Sequence, residues 1–158
     1  MSVSELSTST QNYLKAIWGL KEWSSEPVTA TLISARLGLK LSSVSDAVRK
    51  MTKQGLVSHT PYGAVELTGR GRQYALDMVR RHRLLESFLV QALDYTWDEV
   101  HDEAENLEHA VSDMLIERVD KFLNFPSRDP HGDPIPTADG IITIPRAHRL
   151  SAVSYTHL

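Results

Sequence analysis

The chain contains no cysteine in 158 residues. Disulfides, thiolate metal sites and cysteine nucleophiles are therefore excluded, and any metal must be held by His, carboxylates, amides, backbone or water. No window approaches eighteen unbroken apolar residues, so no membrane-spanning helix and no membrane partner are expected. The opening MSVSELSTSTQNY lacks the basic start and apolar run of a signal peptide, which points to a cytoplasmic location. No serine sits on a glycine-flanked elbow, so a hydrolytic triad finds no support and no enzymatic activity is expected. Internal repeats and low-complexity blocks are also missing.

What is present is enough apolar material for a core, 41% of the chain, and an uneven distribution of charge. The net charge of −3 divides into a basic first part and an acidic second one. Residues 1 to 95 hold 12 Lys and Arg against 8 Asp and Glu, whereas residues 96 to 158 hold 5 against 12. A basic head on an acidic tail suits contact with phosphates at one end and cations at the other.

Helical periodicity begins early. Thr10 is placed to cap a helix carrying Tyr13, Leu14, Ile17, Trp18 and Leu20, ending near Trp23. Thr29 opens a second, shorter helix with Leu32, Ile33 and Leu37 inward and Gly38 as its stop. After the turn LKLS, a third helix carries Val44, Val48 and Met51 in a stripe and stops at Gly55. Two helices joined by a short turn make a helix-turn-helix. The period then changes from helical to alternating: Val57, His59, a Pro61-Tyr62-Gly63 turn, then Val65 and Leu67, which reads as a β-hairpin. A hairpin in this position is the wing of a winged helix. Thr68 caps a long helix with Tyr74, Met78, Leu85, Phe88 and Leu89 inward, and two more helices follow, over about 97–110 and 112–123. The run PSRDPHGDPIP, with four prolines and one glycine, is expected to be a linker or an extended cover.

The fold class is therefore mainly α, a winged helix-turn-helix DNA-binding domain over 1–73 followed by a helical metal-binding and dimerisation domain over 74–137. The tail over 138–158 ends in SAVSYTHL, which continues no earlier pattern and reads like translated sequencing adapter, so it is expected to be truncated.

A recognition helix presents small polar or basic side chains at its N-terminal end, which enters the major groove. Here that end carries Ser42, Ser43, Ser45 and Asp46, with Lys40 before it and Arg49, Lys50 and Lys53 after it. The serines and Asp46 suit base edges, the cations suit phosphates, and Arg70 and Arg72 lie just past the wing. Double-stranded DNA is the expected partner. A solvated polar face on a structural three-helix module is the alternative.

In HDEAENLEHAVSD, His101, Glu105, Glu108 and His109 fall within an arc of about 100° of one helix face. His82 and Glu86 on the long helix are four residues apart and also share a face. Three His and three carboxylates on two helices suit a hard or borderline divalent ion, the alternative being a solvated acidic face. The single Glu-and-His run over 105–109 falls short of the repeated motifs of di-iron carboxylate bundles.

STQNYLKAIWGL, RRHRLLESFL, VHDEAENLEHAVSD and PSRDPHGDPIP together resemble the diphtheria-toxin-repressor-like metalloregulators, and within them the manganese transport regulators, over residues 8 to 137. The resemblance implies a dimeric repressor that binds operator DNA when loaded with metal, and a further SH3-like domain in longer members. It implies a primary site of Glu105, Glu108 and His109 with Asn12 of the first helix, and a second site of His82, Glu86 and His101. Iron-responsive members carry Cys where this chain has Glu105, so a carboxylate there favours Mn2+, with Fe2+ as the alternative. Two positions depart from the pattern. Asn12 stands where Met or Asp is usual, and Lys15 stands where short binuclear regulators carry a Glu ligand. The apolar residues Phe88, Leu89, Leu107, Val111, Leu115, Val119 and Leu123 exceed what one small helical segment buries, so a homodimer is expected. The main rival is a winged-helix regulator sensing an organic ligand; a metal-dependent enzyme or metal store is the other.

Overall fold

The computed structural model describes residues 2–60 and 63–142. Six helices and one hairpin follow in the order α1 (Thr8–Glu22), α2 (Ala30–Leu37), α3 (Leu41–Lys53), β1 (Val57–His59), β2 (Val65–Leu67), α4 (Gly69–Leu93), α5 (Trp97–Glu108) and α6 (Asp113–Phe122), preceded by a 3-10 turn at Val3–Glu5. The fold is the mainly helical winged helix-turn-helix with a helical second part that the sequence implied.

Local chemistry accounts for most boundaries. Thr29, Thr68 and Ser112 each accept a hydrogen bond from a first-turn backbone N–H of the helix that follows. Gly38 ends α2 in the left-handed region at φ 67°. One expected cap is displaced: Thr10 lies inside α1, and its N–H donates to Ser7, the residue that actually caps the helix. Either hydroxyl satisfies the local rule, and Ser7 wins because the polar first turn continues the helix upstream. α5 stops at Glu108, short of Ala110, so His109 is its C-cap. The hairpin pairs Val57 with Leu67, Ser58 with Glu66 and His59 with Val65. Of the tip, Pro61 and Tyr62 lie outside the described residues, as does the chain from 143 onward.

Two apolar cores result. The first gathers Leu14, Ile17 and Trp18 of α1 with Ile33, Val44, Val48, Met51, Leu56, Val65 and the opening turns of α4. The second gathers Leu84, Leu85 and Leu89 of α4 with Val100, Ala104, Val111, Ile116, Val119 and Ile135. α4, 25 residues and about 37 Å long, runs through both. Leu32, expected inward, is 38% exposed, because α2 turns Ile33 into the core with Ala30 and Leu37 packed beside it, and Leu32 lies off that face.

Between the two cores α4 is polar yet buried. Arg80, Arg81, His82, Arg83, Glu86 and Ser87 are all buried there. Burying such groups is tolerable only if each is partnered. Arg80 reaches Asp120 and the Pro136 carbonyl, Arg81 reaches Asp113, Ser4 and the Glu108 carbonyl, and Arg83 reaches Glu22 and the Pro134 carbonyl. Among the described residues no buried side-chain nitrogen or oxygen lacks a partner. This polar belt pins α1, α5, α6 and the proline-rich segment onto one stretch of α4.

The proline-rich run is folded rather than a loose linker. Asp129 accepts from the backbone N–H groups of His131 and Asp133, and Ile135 enters the second core. The apolar stripe expected at a dimer surface is corrected in part: Leu89, Val111 and Val119 belong to the molecule's own second core. Leu115 of the expected stripe is exposed, beside Met114, Phe122 and Phe125, and Phe88 packs edge-to-face on Phe122 at 5.7 Å.

Candidate metal centre and DNA-facing helix

The polar belt carries the candidate centre. His82 and Glu86 sit one turn apart on α4, and His82 Nε2 lies 3.2 Å from Glu86 Oε2. α5 packs across them and brings Glu108, fully buried, to 2.6 Å from His82 Nδ1. His101 reaches Glu86 at 3.5 Å and Glu105 at 3.3 Å. His82 was expected to serve only the second group of ligands. It stands between both, hydrogen-bonded to Glu108 on one side and Glu86 on the other.

The first helix closes the cluster from the head. Lys15 places its ammonium 2.9 and 3.1 Å from the two Glu108 oxygens and 3.9 Å from Glu105 Oε1. His109 Nδ1 is 2.6 Å from Gln11 Oε1, and His109 Nε2 is 3.8 Å from Glu108 Oε2. Asn12 is half-buried, and among the described residues its side chain makes no hydrogen bond; the α1 amide that meets His109 is its neighbour Gln11. Gln11 also donates to the carbonyls of Val3 and Leu6, which fixes its orientation.

On the far side of Glu86 the proline-rich segment adds two groups that the sequence reading passed over, Asp129 and His131. His131 Nδ1 lies 3.8 Å from both Glu86 Oε1 and Asp129 Oδ2. The ring of Trp97 stands edge-on to His131 at 4.4 Å. The only signal in the sequence was an Asp and a His in a run whose prolines suggested a loop, and nothing local ties that loop to Glu86.

Electrostatics follow from this packing. Burial works against a charged His82, but its hydrogen bonds to Glu108 and Glu86 outweigh it and leave the imidazole above its ordinary 6.5. Burial likewise opposes an ionised Glu86, yet His82, with smaller help from His131 and His101, holds it below the usual carboxylate value. Burial, helped by the Lys15 and Arg81 cations, pushes His109 down, and burial, helped by the nearby Asp133 and Glu86 carboxylates, pushes Asp129 up.

Two groups of donors fit a divalent ion, and Glu105, Glu108 and His109 form no third such group among the described residues. Ligand atoms of His82, Glu86 and His101 lie within 4.8 Å of one another, and so do those of Glu86, Asp129 and His131. Ligands of one small divalent ion span about 4–5 Å, so little movement is needed. Glu105 and Glu108 already surround a cation, the Lys15 ammonium. An open cleft of about 400 Å³ bounded by Lys15, Glu86, His101, Asp129 and His131 gives access.

On α3, Val44, Val48 and Met51 face the core, while Ser42, Ser43, Ser45, Asp46, Arg49, Lys50 and Lys53, and Lys40 just before the helix, are all exposed. Asp46 pairs with Arg49 on the same face. Arg70, beside the wing, donates to the Gln54 carbonyl, and Arg72 is exposed.

Residues 5–65 match the family model described as the N-terminal DNA binding domain of iron dependent repressors, and residues 68–137 match their metal binding and dimerisation domain. The chain belongs to the iron-dependent repressor family. It is 38% identical over 134 residues to the iron-dependent repressor IdeR of Mycobacterium tuberculosis, covering 85% of this chain and 58% of that protein. To the diphtheria toxin repressor of Corynebacterium diphtheriae it is 36% identical over 137 residues, 87% of this chain and 60% of that one. A solved manganese-dependent transcriptional repressor in complex with manganese superposes with a TM-score of 0.82 at 58% identity, over 87% of this chain and 63% of the other. The manganese regulator SloR superposes at 0.76 with 40% identity, over 87% and 63%. The chain thus spans less than two thirds of the length of these repressors. Among its described residues no helix is long and apolar enough to cross a membrane.

Proposed function

We propose that this chain is a metal-dependent transcriptional repressor, responsive to Mn2+, that binds double-stranded operator DNA as a homodimer. It is a cytoplasmic regulator and not an enzyme. The observation that carries the reading is the convergence of α1, α4 and α5 on Glu105, Glu108, His109, His82 and the ends of Gln11 and Lys15. α1 belongs to the packing of the head and α5 to that of the second core, so groups shared between them couple the orientation of one to the other.

In this reading residues 1–73 form the DNA-binding head, 74–137 the metal-binding and dimerisation domain, and 138–158 a tail. Glu105, Glu108 and His109 hold the regulatory ion with an amide of α1, Asn12 or its neighbour Gln11. His82, Glu86 and His101 contribute a second group, to which Asp129 and His131 are adjacent. A bound divalent ion supplies positive charge that several anionic and neutral donors share. The protein's own part is to hold those donors on separate helices, so that closing around the charge fixes α1 against α5.

Two heads fixed on a dimer meet half-sites about 34 Å apart without any new DNA contact, and affinity rises because fewer orientations remain to be lost. On the DNA side, Ser42, Ser43, Ser45 and Asp46 face bases, while Lys40, Arg49, Lys50 and Lys53 face phosphates. Leu115 and Phe122 of α6, with Phe88, supply the apolar surface for the second copy.

Mn2+ is favoured over Fe2+ by the carboxylate at Glu105 and by a donor set without sulfur; the manganese-dependent repressor at 58% identity supports the same choice. Fe2+ is the second reading, favoured by the kinship with IdeR. Fluorescence anisotropy with operator DNA, titrated with Mn2+, Fe2+, Co2+ and Zn2+, tests both. Tight binding only with metal supports the switch, and Glu105→Cys should move the preference toward softer ions. DNA affinity indifferent to every metal, and unchanged in Glu108→Ala, would sink it.

A further inference from the structure

Lys15 is half-buried at the centre of the cluster, with its side chain 20% exposed. Its ammonium touches both oxygens of Glu108, whose side chain is wholly buried, and stands 3.2 Å from His82 Nδ1. His82 Nδ1 is also 2.6 Å from Glu108 Oε1, too close for two lone pairs, so the Nδ1 proton belongs to that contact. The ammonium therefore has only carboxylates as acceptors here: Glu108 directly and Glu105 at 3.9 Å. These are the same two carboxylates assigned to the regulatory ion.

A divalent ion cannot join Glu108 while the ammonium stays. The ammonium already occupies both oxygens of the one buried carboxylate, and a second positive charge on the same oxygens would be repelled by it. The lysine has a flexible stem and one open flank on the cleft, so its ammonium can move to solvent when an ion enters.

We propose that Lys15 is a tethered competitor for Glu108: the ammonium neutralises the buried carboxylate in the metal-free protein, and the incoming divalent ion must displace it. The inference rests on the metal-binding reading above. Two consequences follow. The metal-free fold keeps its ligands assembled, because α1 is tied to α5 by an ion pair through Lys15. The apparent metal affinity is the intrinsic one reduced by the fraction of molecules whose lysine has swung away, so Lys15 sets the concentration at which the ion is sensed.

Calorimetric titration of the full chain with Mn2+ at fixed pH, for the wild type, Lys15→Met and Lys15→Arg, tests this. Lys15→Met should bind Mn2+ about tenfold or more tightly, and its melting temperature in a chelator should fall, so that the metal-induced gain in melting temperature widens. Lys15→Arg keeps the competing cation and should stay near the wild-type affinity. Should Lys15→Met fail to fold, Lys15→Gln, which keeps a hydrogen bond without the charge, carries the same expectation. A wild type that binds Mn2+ while Lys15→Met or Lys15→Gln binds it no more tightly overturns the proposal and leaves the metal site standing. A wild type that binds no Mn2+ at millimolar concentration overturns both.

Discussion

Replacing Glu108 by Gln is the perturbation on which the structure speaks most directly. The side chain is wholly buried and accepts from Lys15 and from His82. Gln preserves the volume and one acceptor oxygen but removes the charge, so no cavity is made. The loss in the metal-free protein is that of charge-assisted hydrogen bonds, about 1.5–3 kcal/mol each when a partner is simply lost. It is moderated because Gln still accepts one bond and Lys15 can reach water. A net cost of about 1–3 kcal/mol follows, or roughly 3–10 °C in melting temperature for a chain of this size. The effect on metal is larger. Loss of a group that only orients a ligand costs about 10–100-fold in affinity, so loss of an anionic ligand should cost at least 100-fold. Thermal denaturation with chelator and calorimetric Mn2+ titration measure the two effects separately. Affinity within threefold of the wild type, in a variant that melts only a few degrees lower, would refute the claim that Glu108 holds the ion.

Three further expectations rest on separate observations. Gly71, in the first turn of α4, has no room for a side chain, since a Cβ there would lie 1.9 Å from the Leu56 carbonyl oxygen. Gly71→Ala should lose about 2 kcal/mol or more by urea denaturation, whereas Gly69→Ala, with nothing within 4 Å, should be neutral or slightly stabilising. Lys50→Ala should weaken binding to every DNA sequence alike and reduce the slope of log affinity against log salt by about 1; a change confined to one operator position would contradict its assignment to phosphate. The pH dependence of the metal-free protein follows from His82, held by Glu108 and Glu86, and from Glu86, held by His82. His82 is raised, so its contribution is full below 6.5 and is lost as pH climbs through the raised value. Glu86 is lowered, so its contribution is present above 4.5 and is lost as pH falls through the lowered value. Stability measured in chelator should therefore decline on both sides of a mildly acidic window. Mn2+ binding near neutrality should release protons as His82 becomes a neutral ligand, detectable as a buffer-dependent heat; a heat independent of buffer would count against that role.

The belt of buried arginines gives these effects their setting. Arg83 joins Glu22 of α1 to the Pro134 carbonyl, and Arg81 joins α5 and α6 through the Glu108 carbonyl and Asp113. His82 and Glu86 thus sit on a stretch of α4 whose neighbours are already fixed, which lowers the ordering cost of binding.

Much of the molecule was legible without coordinates, because the signals concerned are local. Thr29, Gly38 and Thr68 act on their own helix termini, and the periodic apolar residues of α1, α3 and α4 reveal a face whatever lies opposite it. The four-residue spacing of His82 and Glu86, and the 101–109 run, likewise follow from helix geometry alone. What the sequence could not decide was which faces meet. That His82 joins both groups of ligands, that Gln11 meets His109, that Lys15 occupies the space between the carboxylates, and that Asp129 and His131 fold back to Glu86 all depend on contacts between residues far apart in the chain. Leu89, Val111 and Val119 looked like a surface for a partner for the same reason. A stripe shows that a face is buried, and only the packing of α4 against α5 and α6 determines whether the burial is within the molecule or between two copies of it.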